Sequence, residues 1–201
     1  MLNEMTGTKL KIFESAAELF AKEGYHAVSM RQIAKNVDIK AASIYNHFES
    51  KEAILMAIYQ YFNDRMKECA PDLDEILLAA ETKHPHDVLR MLTMIFPKDS
   101  LHLMSTSMLV TSSMARFDPI ANEILFHNLI DMPERYDRPL LERLIELDRI
   151  EPIDIDSFIL VHTNYCNSSA NLFYMNEEKS IPLSEWLDGL ELIYKIIQPK
   201  I

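Results

Sequence analysis

Residues 25–55 read YHAVSMRQIAKNVDIKAASIYNHFESKEAIL, and their spacing decides the fold. Met30, Ile33, Ala34 and Val37 keep the i, i+3, i+4, i+7 rhythm of a helix with one buried face. Ser29 and Gln32 fit a capping box, Ser at the N-cap and Gln at N3, while Val28 and Ile33 take the two positions of a hydrophobic staple. Asp38 stands where the chain must turn, and Asp tolerates left-handed backbone better than most residues other than glycine. Ile39 can plug the core between two helices. A second helix is predicted over about 40–47, with Ile44 and Phe48 inward at i, i+4. Lys40, Ala41, Ser43, Asn46 and His47 then face largely outward, and Ser50 caps a third helix.

Lys51 fits stability least well. It stands in the first turn of that third helix, where the macrodipole favours acids. A phosphate at the helix end reverses the sign of the argument. The plainer alternative is a solvated lysine offset by Glu52; Tyr45 and His47 nearby favour the phosphate.

These residues carry a resemblance. IFESAAELFAKEG over 12–24, followed by Tyr25, then VSMRQIAKNV, and above all SIYNHFESKEAIL over 43–55, resemble the TetR (tetracycline repressor) family of bacterial transcription regulators. Tyr45, Phe48 and Lys51 match the family's strongest positions. The match covers about the first quarter of the chain and is more specific than a generic helix-turn-helix; the remainder resembles the family in length and helical layout. Two positions depart from the pattern. The family usually has Gly in the turn, where this chain has Asp38, and Ser or Thr capping the recognition helix, where it has Lys40. Asp38 costs little. Lys40 gives up a cap and adds a cation for a phosphate or guanine, so both departures bear on which operator is read.

Composition narrows the remaining choices. With 201 residues, 48% hydrophobic and 25% charged, the chain reads as a soluble globular protein of one or two domains. No run reaches the roughly 18 apolar residues of a membrane helix. The start, MLNEMTGTKLK, has no apolar signal-peptide core, so a cytoplasmic protein with no membrane partner is expected. Cys69 and Cys166 match no zinc or redox spacing and read as reduced structural thiols, with Cys166 able to line a cavity. No metal set and no cofactor is expected. Gly7, Gly24 and Gly189 are too scattered to cradle a phosphate, which excludes P-loop and Rossmann chemistry and suits an all-α fold. The net charge of −11 argues against a simple nucleic-acid binder, but it is unevenly spread. Residues 1–60 hold seven basic and seven acidic groups, and the other 141 hold 13 basic and 24 acidic ones. An acidic body held off the duplex reduces non-specific binding.

The expected architecture is all-α: a three-helix helix-turn-helix DNA-binding unit over 1–50, a linking helix over 51–69, and a larger helical effector-binding and dimerisation body over 70–201. Helices are predicted over 9–24, 51–69, 72–83, 87–96, 100–116, 119–131, 134–148, 155–175 and 183–198; the 119–148 stretch can be one kinked helix or two. The last two helices are apolar on more than one side and must be covered on more than one side. In the family they pair with their copies, which assigns Phe158, Ser169, Leu172, Trp186, Leu190 and Tyr194 to a dimer interface; two core helices of a monomer are the alternative. Methionines, aromatics and helix-borne polar groups suggest an adaptable pocket for a largely apolar effector. Its candidates are His102, Met104, Thr106, Met108, Thr111, Phe126, His162, Asn164, Tyr165 and Cys166, against the alternative that such a stripe is ordinary core.

The resemblance therefore implies a homodimeric, ligand-responsive repressor on a palindromic double-stranded DNA operator, and no enzyme. Asn46 is the candidate for adenine, Lys40 for guanine or phosphate, and Ala41 for a thymine methyl. Ser29, Arg31, Ser43, Tyr45, His47 and Lys51 complete the DNA-facing set. An all-α enzyme or small-molecule carrier, and a regulator without an effector, are the alternatives.

Overall fold

The computed structural model describes residues 5–92, 98–175 and 183–200, with the side chains of 98–101, 167–175 and 183–184 outside that description. In chain order the helices are α1 (Gly7–Glu23), α2 (Met30–Asn36), a 3₁₀ helix (Ser43–Asn46), α3 (Lys51–Glu68), α4 (Leu73–Ala79), α5 (Pro85–Met91), α6 (Lys98–Met114), α7 (Pro119–Phe126), a π-helical turn (His127–Asp131), α8 (Met132–Glu146), α9 (Ile155–Met175) and α10 (Leu183–Tyr194). Among the described residues the only β pairing is an isolated bridge between Ile150 and Pro199. The fold is all-α, as the periodicity requires.

The chain forms two compact units, one of Met1–Glu68 with Pro97–Leu125, the other of Cys69–Phe96 with Phe126–Ile201. In the first, Ile12, Phe13, Ala16, Ala17 and Phe20 of α1 pack with Ile33 and Ala34 of α2, Ile44, Phe48, and Ile54, Leu55 and Ile58 of α3. α6 packs against both α1 and α3 and adds Val110 and Met114 to the same core. This explains why α1 buries Phe13 and Ala17 as well as Ile12, Ala16 and Phe20. Gly24 ends α1 at φ 86°, ψ 142°, a conformation closed to side chains with a Cβ, and its N–H donates to the Phe20 carbonyl at 3.0 Å. The hydroxyl of fully buried Tyr59 donates to Asp118 at 3.1 Å; burial, then this bond, pushes the phenol above its ordinary range.

In the second unit, Ile76, Val88, Leu89, Leu140, Leu141, Leu144, Phe158, Leu190, Tyr194 and Ile197 form the core. Asp72 caps α4 by accepting from the Asp74 and Glu75 amides, and Pro85 opens α5 where no N–H is required. The 119–146 stretch is helical throughout. Pro133 has no N–H for the Leu129 carbonyl and its ring would crowd it, and the chain widens there: Met132 donates to the His127 carbonyl across a π turn. One polar pair sits in this core. His162 Nδ1 lies 2.6 Å from Asp137 Oδ2, and both side chains are buried. Burial pushes the His162 imidazole down, and the hydrogen bonds to Asp137 and Cys166 more than reverse that, so its pKa rises.

Candidate nucleic-acid interface

The interface grows from the local signals around α2. Ser29 Oγ accepts the Gln32 amide at 3.2 Å, which is half of the expected capping box. The other half is absent: the Gln32 amide group donates to Glu23 Oε2 at 2.7 Å, because α1 ends close enough to offer a charged acceptor. Asp38 takes φ 55°, the left-handed turn residue foreseen for it, and the Ile39 amide closes on the Ala34 carbonyl at 3.0 Å.

The recognition segment differs from the expected helix over 40–47. It is a single 3₁₀ turn, Ser43–Asn46, with Ser43 donating to the Lys40 carbonyl and His47 to that of Ile44. Lys40 brings no side-chain acceptor to cap the start, and the short stretch contains Ser43, β-branched Ile44 and Asn46, none a strong helix former. A turn this short cannot offset helix nucleation, and tertiary anchoring of Ile44 and Phe48 holds it instead.

That anchoring sets the outward face. Ile44 and Phe48 are buried, while Ser29, Arg31, Lys40, Ala41, Tyr45 and Asn46 are exposed and Ser43 and His47 half-buried. Tyr45, a large aromatic, is 55% exposed and stands outside the buried core cluster. Beside it an open groove of about 460 Å³ is lined by Met5, Lys9, Tyr45, Asn46, His47, Phe48, Glu49, Ala53 and Ala57. The Lys9 ammonium lies 5.3 Å above the Phe48 ring.

Lys51 behaves otherwise than expected. Its ammonium donates to the Val28 carbonyl at 2.7 Å and the Tyr25 carbonyl at 2.8 Å, and lies 4.3 Å from the Tyr25 ring centre. The loop between α1 and α2 occupies the cation. Ser50 Oγ caps α3 by accepting the Ala53 amide at 3.0 Å.

The effector candidates divide between the two units. In the first, Met104, Met108, Thr106 and Thr111 of α6 are buried; the two hydroxyls bond back to the His102 and Ser107 carbonyls, and His102 lies exposed, 3.7 Å from Glu18. Ser107, missed in the sequence, is fully buried, and its hydroxyl has no partner among the described residues. In the second unit Phe126 is exposed, His162 pairs with Asp137, Asn164 bonds to the Leu160 carbonyl, and Tyr165 donates to the Trp186 carbonyl at 2.8 Å, with Cys166 half-buried one position on. Of the dimer candidates, Phe158, Leu190 and Tyr194 are buried in their own unit's core and Trp186 packs against it. Ser169 and Leu172 lie outside the residues whose side chains are described. Among the described residues, the large apolar side chains left exposed on α9, α10 and the turn after α10 are instead Leu160, Val161, Leu187, Leu192 and Ile196. Both helices are apolar on two sides, and spacing alone could not say which side the core would take.

Comparison with known proteins places this geometry. Residues 12–58 match the model of bacterial regulatory proteins of the tetR family. Over 58 residues the chain is 40% identical to the HTH-type transcriptional regulator UidR of Escherichia coli (strain K12), covering 29% of this chain and 30% of UidR. Over 80 residues it is 34% identical to IcaR of Staphylococcus aureus (strain Newman), an HTH-type negative transcriptional regulator of the biofilm operon icaADBC, covering 40% of this chain and 39% of IcaR. These matches span well under half of either relative. At the level of fold the likeness runs the whole length. The ketosteroid transcriptional regulator KstR2 of Mycobacterium tuberculosis superposes with a TM-score of 0.67 at 18% identity, covering 98% of both chains. PfmR of Thermus thermophilus, a TetR family transcriptional regulator, gives 0.60 at 19% identity, covering 92% of this chain and 97% of its own. Residues 12–58 of this chain thus match the helix-turn-helix region of the tetR family of bacterial regulatory proteins, and the chain as a whole shares the all-α fold of KstR2 and PfmR.

Proposed function

We propose that the protein is a DNA-binding transcription regulator, a repressor that reads a palindromic operator as a homodimer and leaves it when a small molecule binds. The observation that carries this reading is the recognition turn, whose apolar residues Ile44 and Phe48 are buried while Lys40, Ala41, Tyr45 and Asn46 stand in solvent. A short helical turn entering the major groove presents such residues to base edges. In this reading Asn46 meets adenine, Lys40 guanine or phosphate, and Ala41 a thymine methyl. Ser29, Arg31, Ser43, Tyr45 and His47 hold the backbone. Residues 1–50 are the reading head, 51–69 the link, and 70–201 the body that receives the effector and the partner copy. Leu160 and Val161 of α9 with Leu192 of α10 and Ile196 just after it, apolar and exposed in one chain, are the side chains a second copy would cover. Buried Met104 and Met108 on α6, with a Ser107 hydroxyl that has no partner among the described residues, favour a largely apolar effector carrying one polar group.

Fluorescence anisotropy on labelled DNA from the region upstream of the protein's own gene tests this, at two salt concentrations, for the wild type and for Tyr45→Ala combined with Asn46→Ala. Expected is dimer-stoichiometric binding that weakens with salt and is reduced at least tenfold in the double variant. If neither that DNA nor a genome-wide selection of bound fragments yields a salt-sensitive site, the regulator reading is wrong.

A further inference from the structure

The contacts of Lys51 point to a role for it that is not phosphate binding. An ammonium has three N–H groups. At Lys51 two of them serve the carbonyls of Val28 and Tyr25 at 2.7 and 2.8 Å, and the Tyr25 ring lies 4.3 Å from the nitrogen on a third side. Those carbonyls belong to the loop between α1 and α2. Neither lies inside a helix, so without Lys51 they would have to find another donor. Val28 is buried and directly precedes the Ser29 cap, so the ammonium ties the entry of α2 to the first turn of α3 across 23 residues of chain. The tie also explains why a cation is tolerated at that helix start: two carbonyl dipoles and an aromatic face surround it, in place of the acids the macrodipole would prefer.

We propose that Lys51 is a positioning residue for DNA reading: it clamps the Tyr25 and Val28 carbonyls, fixing α2 and its exposed Arg31 relative to α3, and it does not itself contact DNA. This rests on the DNA-binding reading above. A lysine that sits on a phosphate and one that sits on the protein's own loop differ in what salt does to binding. Each cation placed on a phosphate adds about one to the slope of log affinity against log salt. A clamp adds nothing to the slope of its own, and it requires the shape of an ammonium, which the flat fork of an arginine does not reproduce.

The test measures affinity for the selected operator against salt for the wild type, Lys51→Met, Lys51→Arg, Arg31→Ala, and Arg31→Ala with Lys51→Met, all well below their unfolding temperatures. Expected are a loss of about tenfold for Lys51→Met, a loss for Lys51→Arg although the charge is kept, and, in the Arg31→Ala background, almost no further loss and no further change of slope. A slope reduced by about one by Lys51→Met in the Arg31→Ala background, or full binding by Lys51→Arg, would overturn the proposal in favour of a phosphate contact. A lowered unfolding temperature with unchanged affinity of the folded protein would also overturn it, leaving Lys51 purely structural. Amide exchange in the DNA-free protein keeps the clamp testable if the wild type finds no operator. Selective loosening of residues 25–33 relative to α1 in Lys51→Met supports the clamp, and unchanged exchange there refutes it, whereas absence of any operator counts against the functional reading instead.

Discussion

Replacing a helix-interior glycine by alanine ordinarily stabilises a protein by about 1 kcal/mol, because alanine restricts the unfolded chain and favours the helix. At Gly189 of α10 the sign should reverse. A Cβ built there would overlap the Tyr165 hydroxyl and stand 2.5 Å from its Cζ and 3.0 Å from its Cε2. The ring has little room to yield. It is stacked on Trp186 with centroids 6.4 Å apart, and its hydroxyl donates to the Trp186 carbonyl at 2.8 Å. Displacing it forfeits a hydrogen bond with a net value of about 1 kcal/mol and a ring pair of about 0.5–1.5 kcal/mol. Against these stands the helix gain of about 1 kcal/mol, with an overpacking cost of about 1–3 kcal/mol on the other side. Gly189→Ala is therefore expected to destabilise by about 1.5–4.5 kcal/mol, read as a lower urea midpoint at fixed protein concentration and unchanged m. Removing the ring should restore the ordinary sign: in a Tyr165→Leu background, Gly189→Ala should stabilise by about 1 kcal/mol, which makes the two sites strongly coupled. A Gly189→Ala protein more stable than the wild type would refute the reasoning, since the close approach of α9 and α10 would then not exist in solution.

The buried His162–Asp137 pair predicts a pH dependence. Burial lowers the His162 pKa, but the bonds to Asp137 and Cys166 outweigh it, and the value rises from 6.5 to about 10. A raised folded pKa stabilises fully below the unfolded value and is lost as pH climbs through the folded one. Stability should thus fall between about pH 7 and 10 by up to 1.4 kcal/mol per unit, and His162→Gln should remove that slope; an equal slope in the variant rules the pair out as its source. For the proposed dimer, Leu192→Glu with Ile196→Glu should yield a folded monomer by sedimentation. Phe158→Ala, emptying a core site, should instead cost about 3–5 kcal/mol of stability. A double variant that stays dimeric would exclude Leu192 and Ile196 from the interface.

Much of the fold was legible in the amino-acid order because its signals are local. The Ser29 and Ser50 caps, the stop at Gly24, the left-handed Asp38 and the bounds of α9 each depend on residues a few positions apart, and each appears in the structure where the spacing put it. The outward set of the recognition turn was largely legible for the same reason: Ile44 and Phe48 define inside, which leaves Lys40, Ala41, Tyr45 and Asn46 in solvent and Ser43 and His47 half-buried.

Amino-acid order was therefore enough to specify an all-α chain opening with a helix-turn-helix segment that matches the tetR family model. Everything that turns on a partner far away in the chain was left to the folded state. There Gln32 goes to Glu23 rather than back to its own cap, the recognition helix shrinks to a 3₁₀ turn held by its anchors, and α6 joins the core of the first unit. There too one apolar flank of α9 and α10 goes inside, and His162 meets Asp137 across 25 residues. Lys51 turns onto the loop before α2. A side chain with two apolar flanks or several hydrogen-bonding options carries no record of which it will use; the free-energy difference lies in the partner, and only the folded chain brings the partner within reach.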